Sequence, residues 1–159
     1  MEYLTAKWLH VLSSTILFGT GIGTAFYMFV ANRSRNLDAI VVVTRWVVRA
    51  DWAFTGTAAI VQPLTGLWMV HLANLPMLSP AGGLNWISLS FVLYFVTGAC
   101  WLPVVWLQIR MSRMAAQCQR QGVELPLQYW KLERLWCLLG LPAFSALVWV
   151  FYLMVVKPF

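Results

Sequence analysis

Between Asp51 and Arg110 the chain carries no Asp, Glu, Lys or Arg. A helical membrane span needs about 20 apolar residues, so this stretch has room for two crossings and a turn between them. The turn is legible as NLPMLSPAGGLN, where Pro76, Pro80, Gly82 and Gly83 interrupt any regular element. Composition agrees. The 159 residues are 61% hydrophobic and 10% charged, whereas soluble domains are about half apolar and a quarter charged. A soluble domain of this size leaves too much of itself in water to hide that much apolar surface.

Four spans are expected, at about residues 4–31, 52–73, 84–108 and 135–156. Backbone polar groups in hydrocarbon must be satisfied within the structure, which leaves helices or a closed barrel. These runs are too long and alternate too weakly for barrel strands. The fold class is therefore all-α, an integral membrane four-helix bundle forming a single transmembrane domain. The first span is read as a retained anchor, because a signal peptide has a shorter apolar run preceded by basic residues. Here Arg33 and Arg35 follow the run.

Charge placement supplies an orientation. Arg33, Arg35, Arg45 and Arg49 lie between spans one and two, and Arg110, Arg113, Arg120, Lys131 and Arg134 lie between spans three and four. The positive-inside rule puts these two connections in the cytoplasm and both termini on the outer, periplasmic side. The net charge of +6 follows from that asymmetry, so it points to the lipid bilayer as partner and not to nucleic acid. Residues 36–50 read as an amphipathic segment at the cytoplasmic surface, with Asn36 as its N-cap. Within it and just beyond it, Arg49 and Asp51 are anchoring residues or, alternatively, a functional ion pair.

Several internal features admit two readings. Gly19, Gly21 and Gly23 in FGTGIG lack the preceding strand of a nucleotide-binding loop; Gly19 and Gly23 are instead a small-xxx-small pair expected to let another helix approach. Pro63, Pro103 and Pro142 each remove a helical hydrogen bond and should bend their spans. Gln62 sits mid-span, where its amide needs partners, so it is expected to face the bundle as interhelical glue or as part of a site. Cys100, Cys118 and Cys137 show no metal-binding spacing and are expected to be free thiols.

The chemistry rests on two histidines. His10, in KWLHVLSS, lies about 9 Å into the first span, and antiparallel spans bring His71 to the same outer face. An intramembrane ionisable residue is by default a functional candidate, and imidazole in a helical bundle is a usual ligand of haem iron. His10 and His71 could clamp a b-type haem, with Lys7 or Tyr3 meeting a propionate. One geometric point opposes this. Nine residues separate Gln62 from His71, which at about 100° per residue puts them on opposite sides of an ideal helix. His71 is then an interfacial residue unless Pro63 turns the outer half of its span. Copper is the alternative, since Met69, His71 and Met77 offer ligand types that it accepts.

The segments KWLHVLSS, ANRSR, RADWAFTG, QPLTG and CWLPVVWLQIRM resemble an uncharacterised family of four-span bacterial membrane proteins, over nearly the whole chain. That resemblance implies a multi-pass protein of the bacterial inner membrane and says nothing of activity. More distantly, the first-span pattern is similar to the copper-resistance D-type proteins and to the haem-binding membrane oxidase HemJ. From HemJ only the early histidine, His10, carries over. Its His-Lys pair near the third span is replaced by Asn85 and Trp86, which argues against the same oxidase activity. Three functions are thus in play: a haem-b redox protein with His10 as axial ligand and a membrane redox partner or second copy of itself; a copper or small-solute handling protein; and a non-catalytic subunit. No residue constellation resembles a hydrolase.

Overall fold

The computed structural model describes residues 1–79 and 82–158, leaving Pro80 of the expected turn outside the described residues. Helix α1 runs Glu2–Ser34, α2 Leu37–Ala50, α3 Thr57–Leu72, α4 Trp86–Gln121 and α5 Leu127–Val156. A π-helical turn, Asp51–Gly56, joins α2 to α3 without a break, so four continuous helices are long and apolar enough to cross a membrane. Among the described residues no strand forms; Leu78 and Leu84 make one isolated bridge across the turn.

These helices are longer than the expected spans. At 1.5 Å per residue, the 36 residues of α4 reach about 54 Å, well beyond a hydrocarbon layer of about 30 Å. The sequence reading placed Arg110, Arg113, Arg120, Lys131 and Arg134 in a connection, but only residues 122–126 connect α4 to α5. The basic residues stand instead on helical ends that project past the apolar zone. A polar sequence with no glycine or proline before Gly122 has no reason to stop being helical where the membrane stops. Gly122 ends it with a left-handed φ of 65°, a conformation that glycine adopts without steric penalty.

Local chemistry sets the other ends. Asn36 caps α2, its side chain accepting from Ala39 N at 3.1 Å. Asn85 caps α4 by accepting from Ile87 N and Ser88 N, each at 3.0 Å, while Ser88 Oγ accepts from Asn85 N at 3.0 Å. That reciprocal box satisfies donors that a helix start otherwise leaves open. Asn85 Nδ2 also donates to Pro76 O at 2.5 Å, tying the turn to the helix it precedes.

Helix α1 packs along α3, α4 packs along α5, and α2 packs on α4 to join the two pairs. The main core lies at the basic end, where Met28, Ile40, Val41, Leu107, Met111 and Tyr129 are buried together. Toward the opposite end aromatic rings bridge the pairs: Phe18 meets Phe144 and Phe151, each with centroids 5.3 Å apart. The expected tight approach at the α1 glycines is absent, because a methyl group at Gly19, Gly21 or Gly23 would meet nothing within 4 Å. Outward positions such as Ile60, Leu64, Phe95, Leu102 and Leu138 are exposed apolar side chains, the surface that lipid covers.

Candidate functional site

His10 does what an imidazole in hydrocarbon must do, which is find partners for both nitrogens. They come from one turn of α3. His10 Nδ1 lies 3.1 Å from Gln62 O and 3.0 Å from Thr65 Oγ1. Its Nε2 lies 3.0 Å from Gln62 Nε2, and Ser13 Oγ donates to Gln62 Oε1.

This network fixes the tautomer. Thr65 donates its hydroxyl hydrogen to its own helix, at Val61 O (2.8 Å) and Gln62 O (3.1 Å). What it offers His10 is a lone pair, and a backbone carbonyl offers only that. Nδ1 must therefore carry the ring hydrogen. With Nδ1 donating, a neutral His10 offers only a lone pair at Nε2, so Gln62 turns its Nε2–H toward the ring and its Oε1 toward Ser13, whose hydroxyl also lies 3.1 Å from His10 O. The lone pair of His10 is at Nε2, capped by a neutral side-chain amide. Gly66 completes the arrangement. A methyl group there would stand 3.2 Å from His10 Cε1, so the ring lies flush against the α3 backbone.

Pro63, in the same turn, cannot donate to Ala59 O. Tyr94 of α4 fills the vacancy, its hydroxyl donating to Ala59 O at 2.7 Å. The proline thus creates an acceptor by which the second helix pair grips the first.

Of the other candidates, Lys7 is exposed one turn outward of His10, and His71 is exposed near the end of α3. The structure does not bring His10 and His71 together. Gln62 faces α1, where it meets His10 and Ser13. Met69 is half-buried and Met77 exposed, and among the described residues no three His, Cys, Asp or Glu side chains gather as a metal site. The three cysteines are free.

Arg49 and Asp51 do not form the alternative ion pair. Two positions apart on a helix they face away from each other. Arg49 is exposed, its guanidinium 4.9 Å from the Trp46 ring centroid. Asp51 is 3% exposed and accepts from Thr55 Oγ1 at 3.2 Å. Thr24 of α1 and Gln108 of α4 lie near the same carboxyl, although the Thr24 hydroxyl donates to its own helix at Thr20 O, 2.8 Å away. Every Lys and Arg of the chain is exposed, so all the described neighbours of this buried carboxyl are uncharged. The π turn begins at Asp51; such turns recur at functional sites, and here it sets Asp51 and Thr55 on the inward face.

The sequence reading missed Ser13 as the partner of Gln62; the neighbouring Ser14 bonds back to Val11 O at 2.8 Å. It also missed Thr65, although Gln62, Thr65 and Gly66 at i, i+3 and i+4 mark one face of a helix. Tyr94 and Gln108 carried no signal, since nothing local to either reveals a partner on another helix.

A bundle of four hydrophobic helices with polar clusters on an internal seam defines an integral membrane protein. The chain belongs to the family described as Predicted integral membrane protein (DUF2269), whose model matches residues 4–158. No curated protein and no solved structure matches it.

Proposed function

We propose that the protein is a haem-b-binding redox protein of the bacterial inner membrane, with His10 as the single axial ligand supplied by the chain and the basic end in the cytoplasm. The observation that carries this reading is the anchoring of His10 Nδ1 on the Gln62 carbonyl and Thr65. Ligand histidines characteristically donate their second ring nitrogen to a carbonyl, which fixes the ring and raises the basicity of the free one. The chain's own residues would supply one histidine ligand here and not two, because His71 is exposed in the last turn of α3 and takes no part in the His10 network. Bound iron would supply one-electron chemistry at the outer half of the bilayer.

The chain's own residues would do three things. Gln62 and Thr65 hold the imidazole with Nε2 as its lone pair. The Gln62 amide, on a rotatable stem, caps that lone pair and must turn away for any metal to approach. The aromatic bridge from Phe18 to Phe144 and Phe151 joins the helix pairs without close backbone packing, and is where they can part. Lys7, exposed one turn outward, suits a carboxylate at the membrane surface. A membrane redox partner or a second copy of the chain would exchange the electron.

Purified protein supplemented with haem, air-oxidised and then dithionite-reduced, tests this by absorption. A Soret band that His10→Ala abolishes and His71→Ala leaves intact is expected. A colourless wild-type protein, or a band indifferent to His10, overturns it. Copper bound without a Soret band would move the assignment to the alternative, with Met69, His71 and Met77 as the donors to examine.

A further inference from the structure

Three of the arginines at the basic end converge on a cleft of about 280 Å³ between the end of α1 and the first turns of α5, lined by Asn32, Arg33, Arg35, Trp130, Glu133 and Arg134. The Arg35 guanidinium lies 4.5 Å from the Trp130 ring centroid. Trp130 fixes where that cation sits. Among the described residues none of the three guanidinium groups hydrogen-bonds a protein acceptor. Topology explains why arginines are at this end, but not why they surround a cavity.

Asn32 is the independent observation. It is 1% exposed, and Tyr129 donates to its Oδ1 at 2.7 Å. Among the described residues this is the one hydrogen bond the buried phenol makes, so its hydrogen takes the amide oxygen and Nδ2 is left as the donor. That Nδ2 is buried and without a partner, although buried donors are nearly always satisfied. Arg33 rests over the Phe29 ring, 5.0 Å from its centroid, and three guanidinium groups against one carboxylate, Glu133, leave two positive charges unmatched. We propose that this cleft binds a phosphate group, held by Arg33, Arg35 and Arg134 beside the buried Asn32 amide.

Depth favours a group at the membrane surface. Arg134 lies 23 residues from Lys157 at the opposite end of the bundle, about 34 Å along the helix. Hydrocarbon is about 30 Å thick, and with headgroups about 40–45 Å. The cleft is therefore level with lipid phosphates, where basic pockets between spans take anionic headgroups. A free phosphate ester has the same chemistry and reaches the cleft from the water side.

Full-length protein in detergent, titrated with phosphatidylglycerol and followed by native mass spectrometry, tests the proposal. Inorganic phosphate is titrated separately against chloride at equal ionic strength, with thermal unfolding as readout. Retained lipid adducts, or a saturable stabilisation by phosphate, are expected for wild type. Arg35→Gln and Arg134→Gln, both at exposed positions, should each weaken binding about five-fold, while Arg113→Gln outside the cleft leaves it unchanged. Lipid adducts insensitive to phosphate identify a headgroup, and competition by phosphate identifies the free ester. Binding of neither probe, or equal weakening by Arg113→Gln, overturns the assignment.

Discussion

The sharpest test of the His10 cluster is Gly66→Ala, because two effects of opposite sign meet there. In a helix interior, alanine is preferred to glycine by about 1 kcal/mol, so the change should stabilise if nothing else happens. Nothing lies within 4 Å of a methyl group at Gly98 or Gly140, and the same substitution at either is the control. At Gly66 the methyl would stand 3.2 Å from His10 Cε1 and 3.7 Å from Nδ1. A free ring would slide a few tenths of an ångström. This one is held at both nitrogens, with contacts of 3.0–3.1 Å, and can move only by stretching those bonds. Overpacking of this kind costs about 1–3 kcal/mol, so Gly66→Ala should be about 1–3 kcal/mol less favourable than Gly98→Ala. Thermal or denaturant unfolding in one detergent measures both. The decisive comparison repeats Gly66→Ala in a His10→Ala background, where the penalty should vanish as a coupling energy between the two positions. An unchanged penalty there would mean that the ring is not what confines Gly66, and the derived geometry of His10 would be wrong.

Other outcomes follow from the same contacts. Tyr94→Phe removes the donor to Ala59 O and should cost about 1–2 kcal/mol; adding Pro63→Ala, which lets residue 63 donate to that carbonyl again, should recover most of the cost, and no recovery would refute the pairing. Asp51→Ala strips Thr55 of its acceptor and should lower stability by about 1–3 kcal/mol, whereas Arg49→Ala at an exposed position should change it by less than about 0.5 kcal/mol; equal losses would restore the ion-pair reading. Asn85→Ala removes the cap of α4 and should cost about 1 kcal/mol, seen as faster hydrogen exchange at Ile87 and Ser88; unchanged exchange there would count against the capping box.

What was legible in the sequence was whatever hydrocarbon imposes locally. The charge-free run from Asp51 to Arg110 required two spans and a turn, and the helices lie there. The cap at Asn36 and the inward direction of Gln62 were read from single residues and their neighbours. The helices run past the expected spans, which stop where apolar sequence stops. A helix stops at a backbone signal, and Gly122 is fourteen positions beyond the last residue assigned to the third span. The partners of Gln62 divided the same way. That it needed partners was local information; that they are His10 and Ser13 depends on the register between α1 and α3, which no single segment encodes. The glycine stripe of α1 failed for a related reason: small residues permit close approach, but the bundle has to supply a helix to make it.

The distribution of polar groups gives the bundle its division of labour. Along the contact of α1 with the continuous α2–α3 helix lie two internal clusters, His10, Ser13, Gln62 and Thr65 toward one end, and Thr24, Asp51 and Thr55 toward the other. The second pair enters each cluster through one side chain of α4, Tyr94 at the proline-freed carbonyl and Gln108 at Asp51. Helix α5 meets α1 through aromatic rings alone at the level of Phe18. Sites that must hold buried polar groups in fixed geometry belong where backbones pack closely, since a loosely held partner leaves a donor or acceptor unsatisfied in hydrocarbon. On the proposed reading, a cofactor is to be sought on the α1–α3 seam, with α4 and α5 closing it from the side. A substitution on the α4–α5 face that left stability intact yet abolished a bound cofactor's spectrum would break that argument.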